Sequence, residues 1–414
     1  MAFNVIKDLA SLNWSKMPAT IVLEEDTPYA VNLLYRVVLD IEIIDNETGA
    51  TLEALQLIGY KNLYNIISFD LAKIADDYFR KINPQYLKSN YYNLGQEFQY
   101  SKVLIINYSA VAYTISDPLE PVSSYSNYAP FIFGGLPLLN YGINDAAAYI
   151  ALETQPRILT HNNFIRVAKN QQHFISIVSL SSIATPKTLY IDFWRTDGTF
   201  KTFTIGLTDS PIPISYYHSI IAVGYNHLNI EATAESPVYK YRVYIDNTQI
   251  SNSITFIVDL KAHYQSYSLI YLNSFMCLDT ILCTGEAAIS VETKATTVQR
   301  FGNVSNGRYF NTAEDHIDTV AMQYTDVYNQ SEAIKYKFRT GSMGRQQLMR
   351  SMRELLLHRK AWLQDNDALR FIPLIVTTNK ITLIKDGDGL YFSEFEAQSI
   401  QEDATFSPHF EVIQ

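Results

Sequence analysis

The residues best suited to chemistry in this chain form a short polar segment in its last third. Glu314, Asp315 and Asp318 place three carboxylates around the imidazole of His316. Carboxylate oxygens and imidazole nitrogens are ligands that divalent cations accept in proteins. A solvated loop explains the same composition without a metal, and we favour that interpretation because clustered charges usually face water.

A second polar segment, DGDG at residues 386–389, resembles the start of a calcium-binding loop. An EF-hand loop needs a further oxygen ligand at its fifth position and a glutamate at its twelfth. Leu390 and Ala397 occupy those positions here, whereas a hairpin turn explains both aspartates and both glycines. We therefore predict a turn at this segment and no metal site in the chain.

The sequence lacks the usual short motifs of catalysis. It contains no G-x-S-x-G of serine hydrolases, no G-x-x-x-x-G-K-[ST] or G-x-G-x-x-G for phosphates, and no H-E-x-x-H of zinc proteases. Its histidines are scattered and form no H-x-H or H-x-x-x-H pair. The two carboxylates of a glycosidase are defined by their separation in space, so that alternative stays open. We predict that the protein is not an enzyme and needs no cofactor.

Composition and charge restrict the class of protein further. The 414 residues carry 42 acidic and 32 basic side chains, a net charge of −10, which argues against general nucleic-acid binding. The 30 Tyr and 21 Phe favour strands and suit broad protein interfaces or sugar-binding surfaces.

Two cysteines, Cys277 and Cys283, are typical of a chain that folds in a reducing cytoplasm. The N-terminal residues lack the apolar core of a signal peptide, and no apolar run predicts a membrane span.

A predicted helix over residues 341–358 contains the one basic concentration in this acidic chain. Arg345, Arg350 and Arg353 form it, together with two basic residues that follow the helix. An interface with an acidic partner, or with DNA in a channel, would use these arginines. The alternative, which we favour, is a solvated arginine face on an amphipathic helix. The opposite side of that helix carries an apolar stripe of Leu348, Met352, Leu355 and Leu356.

Residues 117–142 combine four prolines with a Gly-Gly pair and several aromatic residues. Such a composition predicts a long ordered loop or arm. The candidate contacts to a neighbouring protein are the aromatic side chains Tyr125, Tyr128, Phe131 and Phe133. Packing of the same residues against their own domain is the alternative, and the sequence does not separate the two.

Hydrophobic periodicity predicts a mainly β fold with minor α, divided into modules. Residues 1–116 form an N-terminal α+β module with a hairpin in 20–60, a helix over 68–82 and a strand pair in 96–116. Residues 117–164 follow as the Pro/Gly/aromatic arm or linker.

The rest of the chain predicts two further modules. Residues 165–262 show short strands at regular spacing and an Asp197-Gly198 hairpin, as in an immunoglobulin-like or similar β-sandwich. Residues 263–414 form a C-terminal β-rich module with the amphipathic helix and a final hairpin over 370–399. The expected protein is multidomain, with β-sandwich modules, an α+β module and two short helices.

Several segments together resemble structural proteins of the tail and baseplate type, distal-tail-like, that phages and prophages of Bacteroidota encode. These segments are IISFDLAKIADDY (66–78), PRILT (156–160) leading to QQHFIS (171–176), YLNSFMCLDTILCTG (271–285), and YKFRTG (336–341) leading to FIPLIV (371–376). The third departs from the family's L-N-x-x-G-x-[WY] run, because FMCL at 275–278 lacks the glycine and the Trp or Tyr. The resemblance implies a virion protein built of β-modules and no catalytic residue.

We therefore expect a structural virion protein of a bacteriophage tail, neck or baseplate. It would assemble into a symmetric multimer with copies of itself and other virion proteins, after folding in the cytoplasm of the bacterial host. The first alternative is a carbohydrate- or receptor-binding surface or fibre protein, whose mark would be an exposed Tyr or Trp platform flanked by Asp and Asn. The second is a glycan hydrolase with two carboxylates facing each other across a cleft.

Overall fold

The computed structural model describes most of the chain, in separate segments. The described residues are 3–24, 35–46, 48–60, 66–82, 99–101, 103–114, 121–135, 158–160, 162–179, 187–207, 217–230, 236–245, 252–260, 266–285, 288–303, 321–341, 343–365, 370–379 and 391–399.

The fold of these residues is mainly β with two helices, which confirms the predicted fold class. The helices are α1 (Ala72–Ile82) and α2 (Arg345–His358). The strands in chain order are β1 (Asn4–Lys7), β2 (Asn13–Trp14), β3 (Thr20–Glu24), β4 (Tyr35–Asp45), β5 (Thr51–Tyr60), β6 (Ile66–Asp70), β7 (Gln99–Ser101), β8 (Val103–Thr114), β9 (Pro121–Ile132), β10 (Phe164–Val167), β11 (Phe174–Ser179), β12 (Lys187–Arg195), β13 (Phe200–Leu207), β14 (Tyr217–Ala222), β15 (Val238–Ile245), β16 (Ile254–Val258), β17 (Tyr267–Leu272), β18 (Leu278–Cys283), β19 (Ala288–Asn303), β20 (Ala321–Arg339), β21 (Lys360–Asp365), β22 (Arg370–Val376) and β23 (Glu394–Ser399).

The described strands form five sheets. The N-terminal region contains a five-stranded sheet, β2-β9-β8-β4-β5, and a small sheet, β1-β3-β6. The middle region contains β10-β16-β15-β12-β13 and the sheet β11-β14-β7, whose last strand comes from the N-terminal region. The C-terminal region contains a single seven-stranded sheet, β18-β17-β21-β22-β23-β20-β19. Most pairs are antiparallel, so each sheet can present one face to the core and the other to water.

The N-terminal hairpin and helix form as predicted. β4 and β5 pair antiparallel on either side of the predicted turn. The helix α1 begins where the backbone N–H of Ala72 donates to Asp70 Oδ1 at 3.1 Å, a side-chain cap of the expected kind. Phe79 is fully buried on the inner face of the helix, whereas Ile74 and Tyr78 are only partly buried.

Two predictions for the N-terminal half are wrong. β7 and β8 do not pair with each other, because β7 pairs with β14 and β8 pairs with β4 and β9. The arm or linker predicted over 117–164 contains a strand at Pro121–Ile132, where β9 pairs with β8, and residues 136–157 of that prediction lie outside the described residues. The prolines indicated a loop, but β9 begins at Pro121, and β2 pairs with it only at Phe131 and Ile132. Proline is tolerated at strand starts and sheet edges.

The predicted β-sandwich is confirmed, and all its strands lie within residues 164–258 except β7 (Gln99–Ser101), which pairs with β14 at the edge of the three-stranded sheet. Its two sheets enclose one core, in which Ile175 of the three-stranded sheet packs with Phe193 of the five-stranded sheet. The β12–β13 hairpin turns at the predicted Asp-Gly pair, and Gly198 adopts a φ of 85°. The three-stranded sheet is buried on both faces, since Phe174 and Ile220 on its other side join the N-terminal core.

In the C-terminal region, α2 packs on the seven-stranded sheet. The predicted helix is confirmed from Arg345 onward, and Leu348, Met352 and Leu355 are fully buried in the core that it shares with the sheet. β22 and β23 pair antiparallel as predicted, while their turn at 386–389 lies outside the described residues, as does the polar segment 314–318.

Among the described residues, neither helix has the length and apolar character that crossing a bilayer requires.

A small apolar cluster joins the three regions of the chain. Trp14 and Ile132 come from the N-terminal sheet, Val178 from the sandwich, and Phe275 from the turn between β17 and β18. The rings of Trp14 and Phe275 lie 5.8 Å apart, centroid to centroid. Because one cluster draws on all three regions, their interiors are continuous within the described residues.

A buried polar cluster lies between the sandwich and the C-terminal sheet. Asp279 on β18 accepts hydrogen bonds from Thr160 Oγ1 at 2.9 Å and from Asn273 Nδ2 at 3.2 Å. Burial raises the pKa of Asp279 to about 7, and the neighbouring carboxyl of Glu354 on α2 adds to the rise. The contact between these two regions therefore contains an acid whose charge is costly at neutral pH.

Gly134 lies against the backbone of Phe275, where the N-terminal and C-terminal regions meet. Its φ is 127°, and a Cβ built there would lie 2.4 Å from the backbone oxygen of Phe275. We expect Gly134→Ala to lower the free energy of unfolding by about 2–3 kcal/mol, measured by urea denaturation, because strain and a backbone clash add together. Gly198→Ala is the matched control: its φ is also positive, but nothing lies within 4 Å of the added Cβ. An equal loss in both variants would contradict the clash.

Candidate interaction surfaces

Of the four aromatic residues predicted as contacts, Tyr128 is the one that the structure leaves largely exposed, at 64%. Phe131 and Phe133 are buried in the N-terminal core, so their assignment to an interface is wrong. Tyr125 is half-buried and donates its phenolic hydrogen to a carboxylate oxygen of Asp8. The strand alternation of β9 explains the difference, because residues 125 and 131 face the core while residue 128 faces outward.

The three predicted arginines, Arg345, Arg350 and Arg353, lie at exposed positions of α2. The opposite side of the helix is buried in the C-terminal core, which confirms the amphipathic interpretation of this segment. They are exposed, and their contact with an acidic partner stays a prediction.

The longest paired element of the described chain is the hairpin formed by β19 and β20. Its register runs from Ala288 opposite Lys337 to Asn303 opposite Ala321. β23 pairs with β20 only from Lys335 to Arg339. Residues 321–334 of β20 therefore have β19 as their strand partner within the described chain. At roughly 3.3 Å per residue, this ribbon extends about 40 Å beyond the sheet.

The base of this hairpin exposes apolar side chains that continue the core outward. Ile289 and Val291 on β19 are 58% and 57% exposed. They lie opposite Tyr336 and Ile334 of β20, which pack in the C-terminal core. The apolar face of the sheet thus extends past its own core, as expected for a surface that another protein covers.

The outer face of the five-stranded sandwich sheet combines aromatic rings with cations. Lys240 Nζ lies 3.9 Å from the ring centroid of Trp194, and Tyr190 stacks on Tyr244 at 5.1 Å. Beside them Phe200 is 54% exposed. Tyr, Trp and Arg are the residues most enriched among energetically important interface contacts.

An open concavity of about 910 Å³ lies on the outer face of the N-terminal five-stranded sheet. It crosses β5, β4, β8 and β9, and we call it the sheet groove. Its lining residues are Asp40, Ile41, Glu42, Ala54, Leu55, Gln56, Asn107, Tyr108, Ser109, Ser126, Asn127 and Tyr128. Of these, only Tyr128 belongs to the residues singled out from the sequence. The alternation of polar residues along β4 and β9 is the signal that could have indicated the others.

The two cysteines and His173 are buried. Cys277 and Cys283 are buried thiols outside any disulfide, and burial raises the pKa of both, which makes them poor nucleophiles. Burial lowers the pKa of His173 to about 3, so its imidazole is neutral at physiological pH. No group of three or more His, Cys, Asp or Glu that could hold a metal occurs in the described residues.

Comparisons with known proteins add no functional assignment. No protein-family profile and no curated protein matches the chain. A structural similarity links it to the ectodomain of the teleost fish polymeric immunoglobulin receptor, at 7% sequence identity and a TM-score of 0.18. That match covers 63% of this chain and 100% of the receptor chain. At this TM-score the similarity carries no argument about function, which must come from the surfaces themselves.

Proposed function

We propose that the protein is a structural component of a bacteriophage tail, neck or baseplate and assembles into a symmetric multimer. The observation that carries this proposal is the β19–β20 hairpin. An isolated two-stranded hairpin is at best marginally stable in water, so a ribbon of about 40 Å calls for a surface to lie on. A second copy of the chain, or another virion protein, is the partner that this geometry suits.

Two further features support an assembly role. The apolar stripe of Ile289 and Val291 begins where the hairpin leaves the sheet, so an occupant that covers the ribbon would also bury it. The continuous interior through Trp14 and Phe275 joins the hairpin's sheet to the other two regions. A hairpin that contacts the next copy in a head-to-tail manner would generate a ring if the rotation closes. The phage origin of that ring rests on the resemblance of segments such as residues 66–78 and 271–285.

Shortening the hairpin is expected to abolish self-assembly without unfolding the protein. The variant joins Ala295 to Gln330, which are opposite each other in the register, through an Asn-Gly turn. Light scattering after gel filtration should give a multiple of 47.2 kDa for the full chain and roughly one shortened chain for the variant. Circular dichroism and the thermal midpoint should stay close to those of the full chain, because the residues that pair with β23 are kept.

The matched control is Phe164→Ala, which removes a comparably exposed apolar side chain on β10 of the sandwich, away from the hairpin. It should retain the mass of the full chain. A full chain that stays monomeric over a wide concentration range would contradict self-assembly. A shortened variant that keeps the multimer would contradict the role of the hairpin.

A further inference from the structure

Hydrogen bonds between side chains of the sheet groove fix the orientation of its polar groups. Gln56 Nε2 donates to Asp40 Oδ1 at 2.8 Å, across the β5–β4 pair. Asn107 Nδ2 donates to Glu42 Oε2 at 3.3 Å, across the β8–β4 pair. A carboxylate only accepts hydrogen bonds, so each amide must turn its NH₂ toward the carboxylate and its carbonyl oxygen away from it.

The same pattern keeps Glu42 ionised. Hydrogen bonds from Thr51 and Asn107 lower its pKa below the usual range. Each oxygen of Glu42 accepts one hydrogen bond, since Thr51 Oγ1 donates to Oε1 at 2.5 Å and Asn107 Nδ2 donates to Oε2. Within the described residues, Asp40 Oδ2 and the amide oxygens of Gln56 and Asn107 have no such partner. The groove therefore offers acceptors, and it suits a ligand rich in O–H donors.

An aromatic ring completes the groove at one end. Tyr128 on β9 lies directly opposite Asn107 on β8 in the register, and its side chain is 64% exposed. Such a ring provides an apolar surface with a polar tip. The apolar C–H face of a pyranose can stack on it while the sugar's hydroxyls reach the amide and carboxylate oxygens next to it.

The charge of the groove selects among hydroxylated ligands. Its lining includes Asp40 and Glu42 and no Lys, Arg or His. Phosphates, nucleic acids and acidic sugars would meet uncompensated negative charge there. Among the described residues no group of three or more His, Cys, Asp or Glu could hold a metal, and the groove contains only the two carboxylates of Asp40 and Glu42. These two arguments leave an uncharged ligand bound without a metal.

We propose that the sheet groove binds a neutral glycan, with Tyr128 as the stacking platform and Asp40, Gln56 and Asn107 as acceptors of its hydroxyl hydrogens. The inference is independent of the proposed assembly role, because the groove residues belong to the N-terminal sheet and the hairpin to the C-terminal one. In a multimer, several copies of a weak site would act together on a glycan-coated surface.

The test uses the full chain on an array of linear neutral oligosaccharides of glucose, galactose, mannose and N-acetylglucosamine, with sialylated versions beside them. The best neutral oligosaccharide is then titrated by calorimetry. Neutral glycans should bind, sialylated versions should bind more weakly, and EDTA should have no effect. Failure of every neutral glycan, a preference for the sialylated ones, or loss of binding in EDTA would each overturn the proposal.

Variants of exposed tyrosines then locate the site. Tyr128→Ala should weaken the affinity for the selected oligosaccharide about tenfold or more, whereas Tyr128→Phe, which keeps the ring, should stay within about threefold. Tyr60→Ala is the matched control, since Tyr60 is also 64% exposed on this sheet but does not line the groove. Equal affinities of the Tyr128→Ala and Tyr60→Ala variants would overturn the assignment. Light scattering of each variant separates loss of the glycan site from loss of assembly.

Discussion

Asp279→Asn is expected to stabilise the protein by about 4 kcal/mol at pH 8 and to have little effect at pH 4. Burial raises the pKa of Asp279 to about 7 in the folded protein, against an ordinary value of 3.8. A difference of about three pH units between folded and unfolded pKa values corresponds to about 4 kcal/mol. Because the folded pKa is the higher one, the protonated Asp279 contributes its full stability to the wild type below pH 3.8. The wild type loses that contribution as the pH rises to about 7.

Asparagine can occupy the same site without ionising. Its oxygen can accept the hydrogen bond from Asn273, and its NH₂ can donate to the hydroxyl of Thr160. The measurement is the free energy of unfolding in urea from pH 4 to pH 8 for the wild type and the variant. Asp77→Asn, which changes an exposed carboxylate on α1, is the control and should follow the wild type. A difference between the wild type and Asp279→Asn that does not change with pH would contradict the buried acid.

The comparison with the variant is needed because two histidines act in the opposite direction. Burial lowers the pKa of His173 to about 3 and that of His227 to about 4, from 6.5. Their contribution to stability is present above pH 6.5 and is lost as the pH falls toward these values. The wild-type profile is therefore a sum of opposing trends, and subtracting the variant's profile isolates Asp279.

Phe275→Ala is expected to lower the free energy of unfolding by about 3–5 kcal/mol, the usual cost of removing a fully buried aromatic side chain. Phe275 is 1% exposed and contacts Trp14 in the cluster that also includes Val178. Because these residues come from three regions of the chain, the loss should appear as one transition shifted as a whole, in near-UV circular dichroism and in tryptophan fluorescence alike.

The control for Phe275→Ala is Phe164→Ala, since Phe164 is a phenylalanine that is 60% exposed. Its replacement should change stability by less than about 1 kcal/mol. Two separate transitions in the Phe275 variant, with one region unchanged, would show that the regions do not depend on the shared cluster. That result would contradict the continuous interior.

Local patterns in the sequence predicted those elements whose stability depends on neighbours along the chain. The β12–β13 hairpin follows from alternating strands around Asp197-Gly198, and α2 follows from its apolar stripe. β9 was missed because its prolines indicate a loop, and only the pairing with β8 shows that they lie at tolerated positions. The burial of Phe131 follows from that pairing, so the interface assigned to it was wrong for the same reason.

The sheet groove shows the limit of such patterns for function. Glu42, Asn107 and Tyr128 are far apart in sequence and become neighbours only through the register of β4, β8 and β9. Alternation along each strand indicates an outward polar face, but no local pattern specifies which residues lie opposite each other. The amide orientations depend on those cross-strand pairs as well.

By itself, the sequence determined the mainly β class, the sandwich, both helices and the exposed arginines of α2, because side-chain periodicity and turn residues act over a few positions. The tertiary structure alone decided which strands share a sheet, that Trp14 and Phe275 meet, and that the β19–β20 hairpin extends beyond its sheet. It also decided that Asp279 is buried with a raised pKa. These features depend on contacts between residues distant in the chain, and on the removal of water from between them, which no local pattern encodes.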